Sequence, residues 1–212
     1  MTGLPSFFGE SIKERLMKSL KALLCASLLI PAVGFTAPPP GEIRYDFLDL
    51  GVTFGEVDSG GSDVDFSGIG MAGSWGFHDN FALFASLGTG EIDAFGDIDT
   101  TEISFGINPH FPLTENLDLV IPVAIEWADF DAGLFSDDDT GYSIGVGVRW
   151  LINPAWEFGA GFRHIDIFDG DEQTVGANIR WHLNHLFSLG LGGNFSDDAT
   201  AVLLDARFSF GG

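Results

Sequence analysis

Residues 142–150, with the sequence YSIGVGVRW, decide the fold. Large residues such as Tyr142 and Ile144 alternate there with small ones such as Ser143 and Gly145. This period of two is typical of a β-strand whose two faces meet different surroundings. The same alternation recurs along the chain, in segments 43–56, 65–77, 81–91, 100–111, 117–130, 140–151, 156–166, 173–183, 186–195 and 199–210. The sequence therefore predicts an all-β protein of about ten strands.

The two faces of the predicted strands differ consistently in size and polarity. The large apolar face includes Leu48, Leu50, Val52, Phe54, Ile103, Phe105, Ile107, Val146, Val148 and Trp150. The opposite face is small or polar, as at Gly68, Gly70, Ala72, Ser74, Glu102, Ser104 and Arg149. A soluble barrel turns its apolar face inward, whereas a membrane barrel turns it outward towards lipid.

The connections and the tryptophans favour the membrane arrangement. Short turns are predicted at 78–80, 113–116, 153–155 and 184–185, and the connections between them are expected to be longer and rich in Asp and Gly. Next to the short turns lie the predicted membrane-interface aromatics Trp75, Phe77, Trp150, Trp156 and Trp181. We therefore predict a transmembrane antiparallel up-and-down β-barrel of about ten strands. Eight strands and a soluble calycin-like barrel are the alternatives.

The N-terminal region is typical of an exported protein. Lys18 and Lys21 precede an apolar run that ends near Val33, which predicts a cleaved signal peptide over 17–37. Residues 1–16 are expected to be a non-native upstream extension, 38–42 a short Pro-rich leader and 43–212 the barrel. The single cysteine, Cys25, lies within the signal peptide, so no disulfide is expected in the mature chain.

The charge of the mature chain excludes one class of function. From residue 38 onward the chain has 5 basic and 29 acidic residues, a net charge of −24. Such a field repels nucleic acid and attracts cations. A nucleic-acid partner is therefore not expected.

Charged residues also occur on the small, polar face, where a membrane barrel has its lumen. The predicted lumen charge network consists of Asp49, Glu102, Glu126, Arg149, Glu157, Arg163, Arg180, Asp205 and Arg207. Opposite charges in a narrow lumen would form ion pairs. We predict a plugged interior, and a narrow cation-preferring pore is the alternative.

Carboxylates are dense in the predicted outer connections. The candidate metal ligands, which are weak, are Asp137, Asp138, Asp139, Asp169 and Asp171. Their spacing does not match an EF-hand loop, so the sequence predicts at most weak Ca²⁺ or Mg²⁺ binding at the outer loops and no other cofactor.

Catalytic residues are not evident. His164 and Asp166 share one strand face and would suit a base with an orienting carboxylate, but no serine is placed to complete a nucleophilic set. The segment lacks the His-Ser pairing of the lipid A deacylase barrels. A lipid- or peptide-modifying enzyme is therefore a minor alternative, and we expect no catalytic activity.

The Gly-alternating hairpins, the signal peptide and the last strand, which ends in ARFSF at 206–210, carry a resemblance to a known family. The chain resembles the OmpA/opacity-type small outer-membrane barrels, and among them the small xanthomonad-type barrels. The resemblance implies insertion into the outer membrane of a Gram-negative bacterium by the outer-membrane assembly machinery. It implies contact with outer-membrane lipid and lipopolysaccharide and a structural or surface-interaction role with an unknown surface ligand. It transfers no catalytic residue.

Overall fold

Antiparallel strands make up almost all of the described part of the chain. The computed structural model describes residues 43, 45–58, 63–93, 97–133, 136–168 and 170–210. The strands are β1 (Phe47–Asp58), β2 (Asp63–His78), β3 (Phe81–Asp93), β4 (Asp97–Thr114), β5 (Leu117–Val120), β6 (Val123–Asp131), β7 (Ser136–Asn153), β8 (Trp156–Ile167), β9 (Gly170–His182), β10 (Phe187–Phe195) and β11 (Ala199–Ser209). The predicted signal peptide and leader lie outside the described residues.

The sheet closes on itself. Each strand pairs with its neighbour along the chain, with β5 and β6 together occupying one place between β4 and β7. The first strand, β1, pairs with the last, β11, from Phe47↔Ser209 to Val57↔Ala199. Closure leaves no sheet edge, which is what allows strands to cross a membrane. The prediction of an antiparallel up-and-down barrel is confirmed.

The segment predicted as one strand over 117–130 is interrupted at Pro122, which has no backbone N–H for the ladder. Its two parts, β5 and β6, both lie between β4 and β7. Hydrogen bonds continue through the break, because Ile121 N donates to Pro109 O (2.9 Å) and Gly145 N donates to Pro122 O (2.9 Å). The barrel therefore has ten strand positions, and the alternative of eight strands is wrong.

Large apolar side chains cover the outside of the barrel. Leu50, Ile69 and Ile125 are 60%, 64% and 62% exposed, and Phe105 is 58% exposed. Their neighbours along each strand point inward and are buried or half-buried. These exposed apolar side chains form a band around the barrel, which we call the apolar band. Over this band the prediction is confirmed that apolar residues face outward and small or polar residues face inward. None of the described residues forms a helix long and apolar enough to cross a membrane.

The two ends of the barrel differ less in their connections than predicted. At the inner end, which we define by the turns 79–80, 115–116, 154–155 and 183–186, two to four residues join the strands. At the opposite, outer end only two to four residues separate successive strands as well. The prediction of longer outer loops is wrong, because the strands extend through most of the Asp-rich segments. Asp137, Asp138 and Asp139, for example, lie within β7.

The chemistry of the two faces exchanges at the outer end. Outward positions there are acidic, as at Glu56 in β1 and Asp65 in β2, which are paired across the strands. Inward apolar side chains form a buried cluster at the outer end of the lumen, which we call the outer cluster: Val57, Phe66, Ile92, Ile98, Ala128, Phe130, Ile165, Ile167, Phe168, Ala199 and Ala201. This end of the barrel is therefore organised like a soluble β-barrel.

One residue of the outer cluster lies in a strained turn. Phe168 follows β8 with φ 55°, a left-handed conformation that is uncommon for an aromatic residue. Its N–H donates to Asp139 Oδ2 at 2.5 Å, and its ring lies 5.0 Å from the ring of Phe130. Burial of the ring offsets the cost of the backbone conformation.

We expect Gly55→Ala to destabilise the barrel, because a Cβ at Gly55 would overlap the Phe66 ring and the Thr200 carbonyl. The expected loss in the free energy of unfolding is about 1–3 kcal/mol, measured by urea unfolding in lipid vesicles with tryptophan fluorescence. Gly73→Ala is the control, since a Cβ there lies 3.7 Å from the nearest atom. Equal stability of the two variants would contradict the packing described here.

Candidate functional site

The lumen is the candidate site, because it buries ionisable groups. All nine predicted network residues are at most 9% exposed. Four arginines and six carboxylates are buried among the described residues, so carboxylates exceed guanidinium groups by two. Charges removed from water are tolerated when they are paired and hydrogen-bonded.

The pair formed by Asp49 and Arg207 joins the first strand to the last. Arg207 donates to both carboxylate oxygens of Asp49, with Nε to Oδ1 at 2.5 Å, and the two residues are register partners. The Arg207 guanidinium also lies over the Phe47 ring, 3.5 Å from its centroid. This bidentate arrangement is the strongest geometry of an Arg–carboxylate pair. It lies at the strand pairing that closes the barrel.

A second ion pair, Arg180 with Asp205, connects β9 with β11. Arg180 Nη2 lies 2.5 Å from Asp205 Oδ1, and Arg180 Nη1 donates to Ser188 Oγ at 3.3 Å. Gly190 stands between them in register. A Cβ there would overlap the Asp205 carboxylate, so the glycine makes room for the ion pair.

The third pair anchors a cluster at the inner end of the lumen. Arg149 Nε donates to Glu157 Oε1 at 2.9 Å, and His182 Nε2 lies 3.4 Å from Glu157 Oε2. The Arg149 guanidinium also lies 4.6 Å from the centroid of the Tyr45 ring. Arg149 thereby connects two strands with the segment that precedes β1.

Tyr45 extends this cluster to His110 and Asp118. Its ring stacks on His110 at 3.7 Å between centroids, and its hydroxyl donates to Asp118 Oδ2 at 2.8 Å. Burial raises the pKa of the Tyr45 phenol, so the hydroxyl remains a neutral donor. Tyr45, His110, Asp118 and His182 were not predicted as site residues. For the last three, inward strand parity was the only available signal.

The fourth pair, Glu126 with Arg163, connects β6 with β8. Glu126 accepts hydrogen bonds from Arg163 and Ser104, and from Ser143 Oγ at 2.5 Å. Arg163 Nη2 also lies 3.0 Å from Ser143 Oγ. The serines occupy inward positions that the sequence assigned to lumen filling. Glu102, the remaining predicted network residue, is buried on β4 and lines a small cavity with Thr53 and Thr100.

The predicted membrane-interface aromatics all lie on the outer surface. Trp75, Phe77, Trp150, Trp156 and Trp181 are 39–58% exposed. Trp156 and Trp181 are register partners and stack at 6.1 Å between ring centroids. All five lie within five residues of a turn at the inner end. An aromatic girdle at this level marks one boundary of the apolar band.

The candidate metal ligands do not converge on one point. Asp138 Oδ2 lies 3.4 Å from Trp127 Nε1, and Asp139 accepts from Phe168 N. Asp171 lies in β9, and Asp169 is outside the described residues. No group of three or more His, Cys, Asp or Glu side chains that could hold a metal ion occurs among the residues that the structure describes.

His164 and Asp166, the pair considered for catalysis, lie on the outward face of β8 and are only partly buried. The ring of His164 lies 6.4 Å from that of Tyr142. The lumen and its ion pairs are on the other side of the wall. The two residues therefore do not join the charged cluster in the lumen.

The closed sheet, apolar exterior and charged lumen agree with a comparison to protein families. The family model of the outer membrane protein beta-barrel domain matches residues 25–203. The chain belongs to this family. Membership implies the outer membrane as its location and agrees with the small-barrel resemblance seen in the sequence. The finer likeness to xanthomonad barrels stays a prediction.

Solved structures with a similar fold include other outer-membrane barrels. The translocator domain of the autotransporter NalP from Neisseria meningitidis has a TM-score of 0.50 and 9% identity, over 95% of this chain and 98% of that chain. The β domain of the Bordetella autotransporter BrkA has a TM-score of 0.49 and 11% identity, over 79% and 100%. The KdgM porin in complex with disordered oligogalacturonate has a TM-score of 0.43 and 9% identity, over 78% and 99%. No curated protein matches the sequence. At such identities the likeness to NalP shows the fold alone.

We expect Arg207→Met to lower the free energy of unfolding by about 3–5 kcal/mol, because it leaves the Asp49 carboxylate buried without its partner. The double variant Asp49→Leu with Arg207→Met should lose less than the single variant, since no charge remains buried there. Urea unfolding of both variants in lipid vesicles measures the difference. A loss below about 1 kcal/mol for Arg207→Met would show that the pair does not stabilise barrel closure.

Proposed function

We propose that this protein is a non-conducting barrel of the outer membrane with a structural or surface-interaction role in the cell envelope, and that it is not an enzyme. The observation that supports the proposal is the burial of ion pairs in one part of the lumen and of apolar side chains in the other. Ion pairs occupy its inner part, and the outer cluster occupies its outer part. A solute would have to displace both.

The inner barrier consists of groups that are costly to separate. The Arg149–Glu157 pair is fully buried, and the Arg207–Asp49 pair is nearly so. Opening a path means removing a charge from its partner without full hydration, which costs several kcal/mol. Ten strand positions also enclose much less space than the 16–18 strands of open porins.

The outer barrier is apolar. Phe66, Phe130 and Ile165 are 6%, 5% and 2% exposed, so little water reaches them. Hydrophobic constrictions exclude ions because the ions cannot keep their hydration. The combination of an apolar barrier and an ionic barrier supports a closed resting state.

A narrow cation-preferring channel is the second candidate function. The excess of two buried carboxylates over guanidinium groups favours it, since such a lumen attracts cations. Channel opening would require movement of the outer cluster. We propose the closed barrel ahead of the channel for that reason.

The acidic outer rim is the proposed working surface. We define it as the outward carboxylates at the outer end: Glu56, Asp58, Asp63, Asp65, Glu91, Asp93, Asp99, Asp129, Asp131, Asp138, Asp166 and Asp171. We propose that Mg²⁺ or Ca²⁺ screens this rim diffusely beside lipopolysaccharide phosphates, and that a surface ligand binds there. Delivery would follow from a signal peptide over 17–37 and from the assembly machinery, which reads the aromatic last strand.

The proposal predicts electrical silence. Protein purified from outer membranes after expression of the full chain should show no discrete openings in a planar lipid bilayer. Phe66→Ala, Phe130→Ala and Arg149→Ala combined should produce openings, because together they remove bulk from the outer cluster and the guanidinium from the inner end. Discrete cation-selective openings of the unmodified protein would make the channel the correct function.

The matched control for this experiment changes aromatics on the outside. Phe54→Ala combined with Phe195→Ala removes two rings that are 52% and 55% exposed and outside the lumen. This variant should remain silent. Migration of unheated and heated samples on gels checks that every variant contains folded barrel.

The rim predicts an unusual effect of removing a charge. Asp99 stands directly opposite both Glu91 and Asp131. Like charges across a strand pair are destabilising, so Asp99→Asn should raise the free energy of unfolding by about 0.2–1 kcal/mol at low salt. The gain should shrink with millimolar Mg²⁺ or added salt, because screening already relieves the repulsion. Asp197→Asn, in a turn, is the control. An unchanged gain in Mg²⁺, with no heat on calorimetric titration, would contradict cation screening.

A further inference from the structure

Two adjoining depressions lie on the outer surface of the barrel, where the apolar band meets the acidic outer rim. Their volumes are about 660 Å³ and about 300 Å³, and Phe54 and Ser67 line both of them. We call the two together the outer-wall groove and define it by Phe54, Glu56, Asp65, Ser67, Ile69 and Glu91. Ligand sites commonly have volumes of about 300–1,000 Å³, so the groove has room for a ligand.

A short outward side chain makes the groove. Ser67 of β2 points outward and stands opposite Phe54 of β1 and Glu91 of β3. Phe54 and Ile69, the large apolar residues beside it, are 52% and 64% exposed. Because the serine does not reach the height of these side chains, the sheet is left open between them. The side of the groove towards the apolar band is therefore apolar.

The side of the groove towards the outer end is acidic. Glu56 and Asp65 stand directly opposite each other across β1 and β2, and Glu91 stands beside Ser67 on β3. All three carboxylates belong to exposed residues. Among the described residues none of the three forms an ion pair, and no basic side chain lines either depression. A ligand that fits the groove therefore has to supply positive charge.

The two sides of the groove together define the ligand. A metal ion would leave the exposed ring of Phe54 without a contact, and a hydrocarbon chain would leave the carboxylates without a partner. The carboxylates lie on three neighbouring strands, which are about 4.8 Å apart, so they span about 10 Å. One cationic group cannot reach all three of them. Basic side chains three or four residues apart on a helix lie about 5–6 Å from one another, which matches this spacing.

We propose that the outer-wall groove binds an amphipathic cationic peptide. The apolar face of the peptide packs on Phe54 and Ile69 over Ser67, and its lysine or arginine side chains pair with Glu56, Asp65 and Glu91. Such peptides lie in the plane of the membrane surface with their apolar face about 5–10 Å deep in the boundary region. The groove lies at that boundary. This ligand class deepens the surface-interaction role proposed above, on which it rests.

The test measures binding of a labelled peptide to the barrel in lipid without net charge. The peptide is a dansyl-labelled amphipathic helix of leucine and lysine, about 18 residues long. The protein, purified after expression of the full chain, is held in phosphatidylcholine nanodiscs, and empty nanodiscs give the reference. We expect a Kd about tenfold lower for the nanodiscs that contain the protein. Glu56→Gln, Asp65→Asn and Glu91→Gln combined should raise that Kd about tenfold, because the ion pairs are lost.

The matched control removes the same charge from the opposite wall. Asp166 and Asp171 stand opposite each other across β8 and β9, as Glu56 and Asp65 do across β1 and β2. Asp138→Asn, Asp166→Asn and Asp171→Asn combined therefore give the same change in net charge. We expect this variant to change the Kd less than about threefold, because salt screens distant exposed charges.

A second variant fills the groove without changing its charge. Ser67→Leu places a larger side chain on the floor of the groove, so it should raise the Kd because the peptide no longer reaches the sheet. Ala177→Leu, at an exposed outward position of β9, is its control and should leave the Kd unchanged.

Three outcomes would overturn the proposal. The first is an equal Kd for nanodiscs with and without the protein. The second is equal weakening by the two triple variants, which would mean that the whole rim attracts the peptide and would leave the surface-interaction role standing. The third is unchanged binding to Ser67→Leu. If the triple variant of the groove fails to fold, as judged by gel migration of unheated and heated samples, Ser67→Leu decides. Failure of the closed barrel would be seen separately, as discrete openings in the planar bilayer.

Discussion

The structure depends on the requirement that every backbone N–H and C=O at membrane depth be satisfied within the protein. The pairing of β1 with β11 meets this requirement where the first and the last strand come together. It continues past the last strand, since Phe210 N donates to Asp46 O at 3.1 Å. Closure then divides the side chains into an outside and an inside, and each set must suit its own surroundings. The Asp49–Arg207 pair adds a side-chain link across the same closing pair of strands.

The surroundings change along the barrel, and the side chains change with them. In β1, outward Leu50 and Phe54 are followed by outward Glu56, and inward Asp49 and Thr53 are followed by inward Val57. Side chains alternate between inward and outward along the whole strand. Where the strand leaves the lipid, however, the outward residues become polar and the inward residues become apolar. The outer cluster is the consequence, because strands in water need an apolar interior. One continuous barrel thus combines a membrane barrel below with a soluble one above.

This reversal explains what the sequence could and could not predict. The strands and their faces followed from the alternation of residues such as Ile144 and Ser143, because lipid imposes that pattern strictly. The prediction of long outer loops is wrong because Asp and Gly, which are common in loops, lie here within strands. Glu56 and Val57, like Asp65 and Phe66, continue the alternation with the polarity of the two faces reversed. The partners within the lumen could not be predicted at all. Tyr45 contacts His110 and Asp118 across the lumen. Such contacts depend on the curvature of the whole barrel, which the sequence of a single strand does not determine.

The ion pairs have a reason beyond stability. An apolar lumen at lipid depth would make both faces of each strand apolar, and neighbouring segments would approach the about 18-residue apolar run of a spanning helix. Polar inward residues keep each strand amphipathic, and pairing then offsets the cost of burying their charges. The outer cluster carries no such conflict, because the outward residues there are acidic. The largest apolar cluster of the lumen therefore lies where the outside of the same strands is charged.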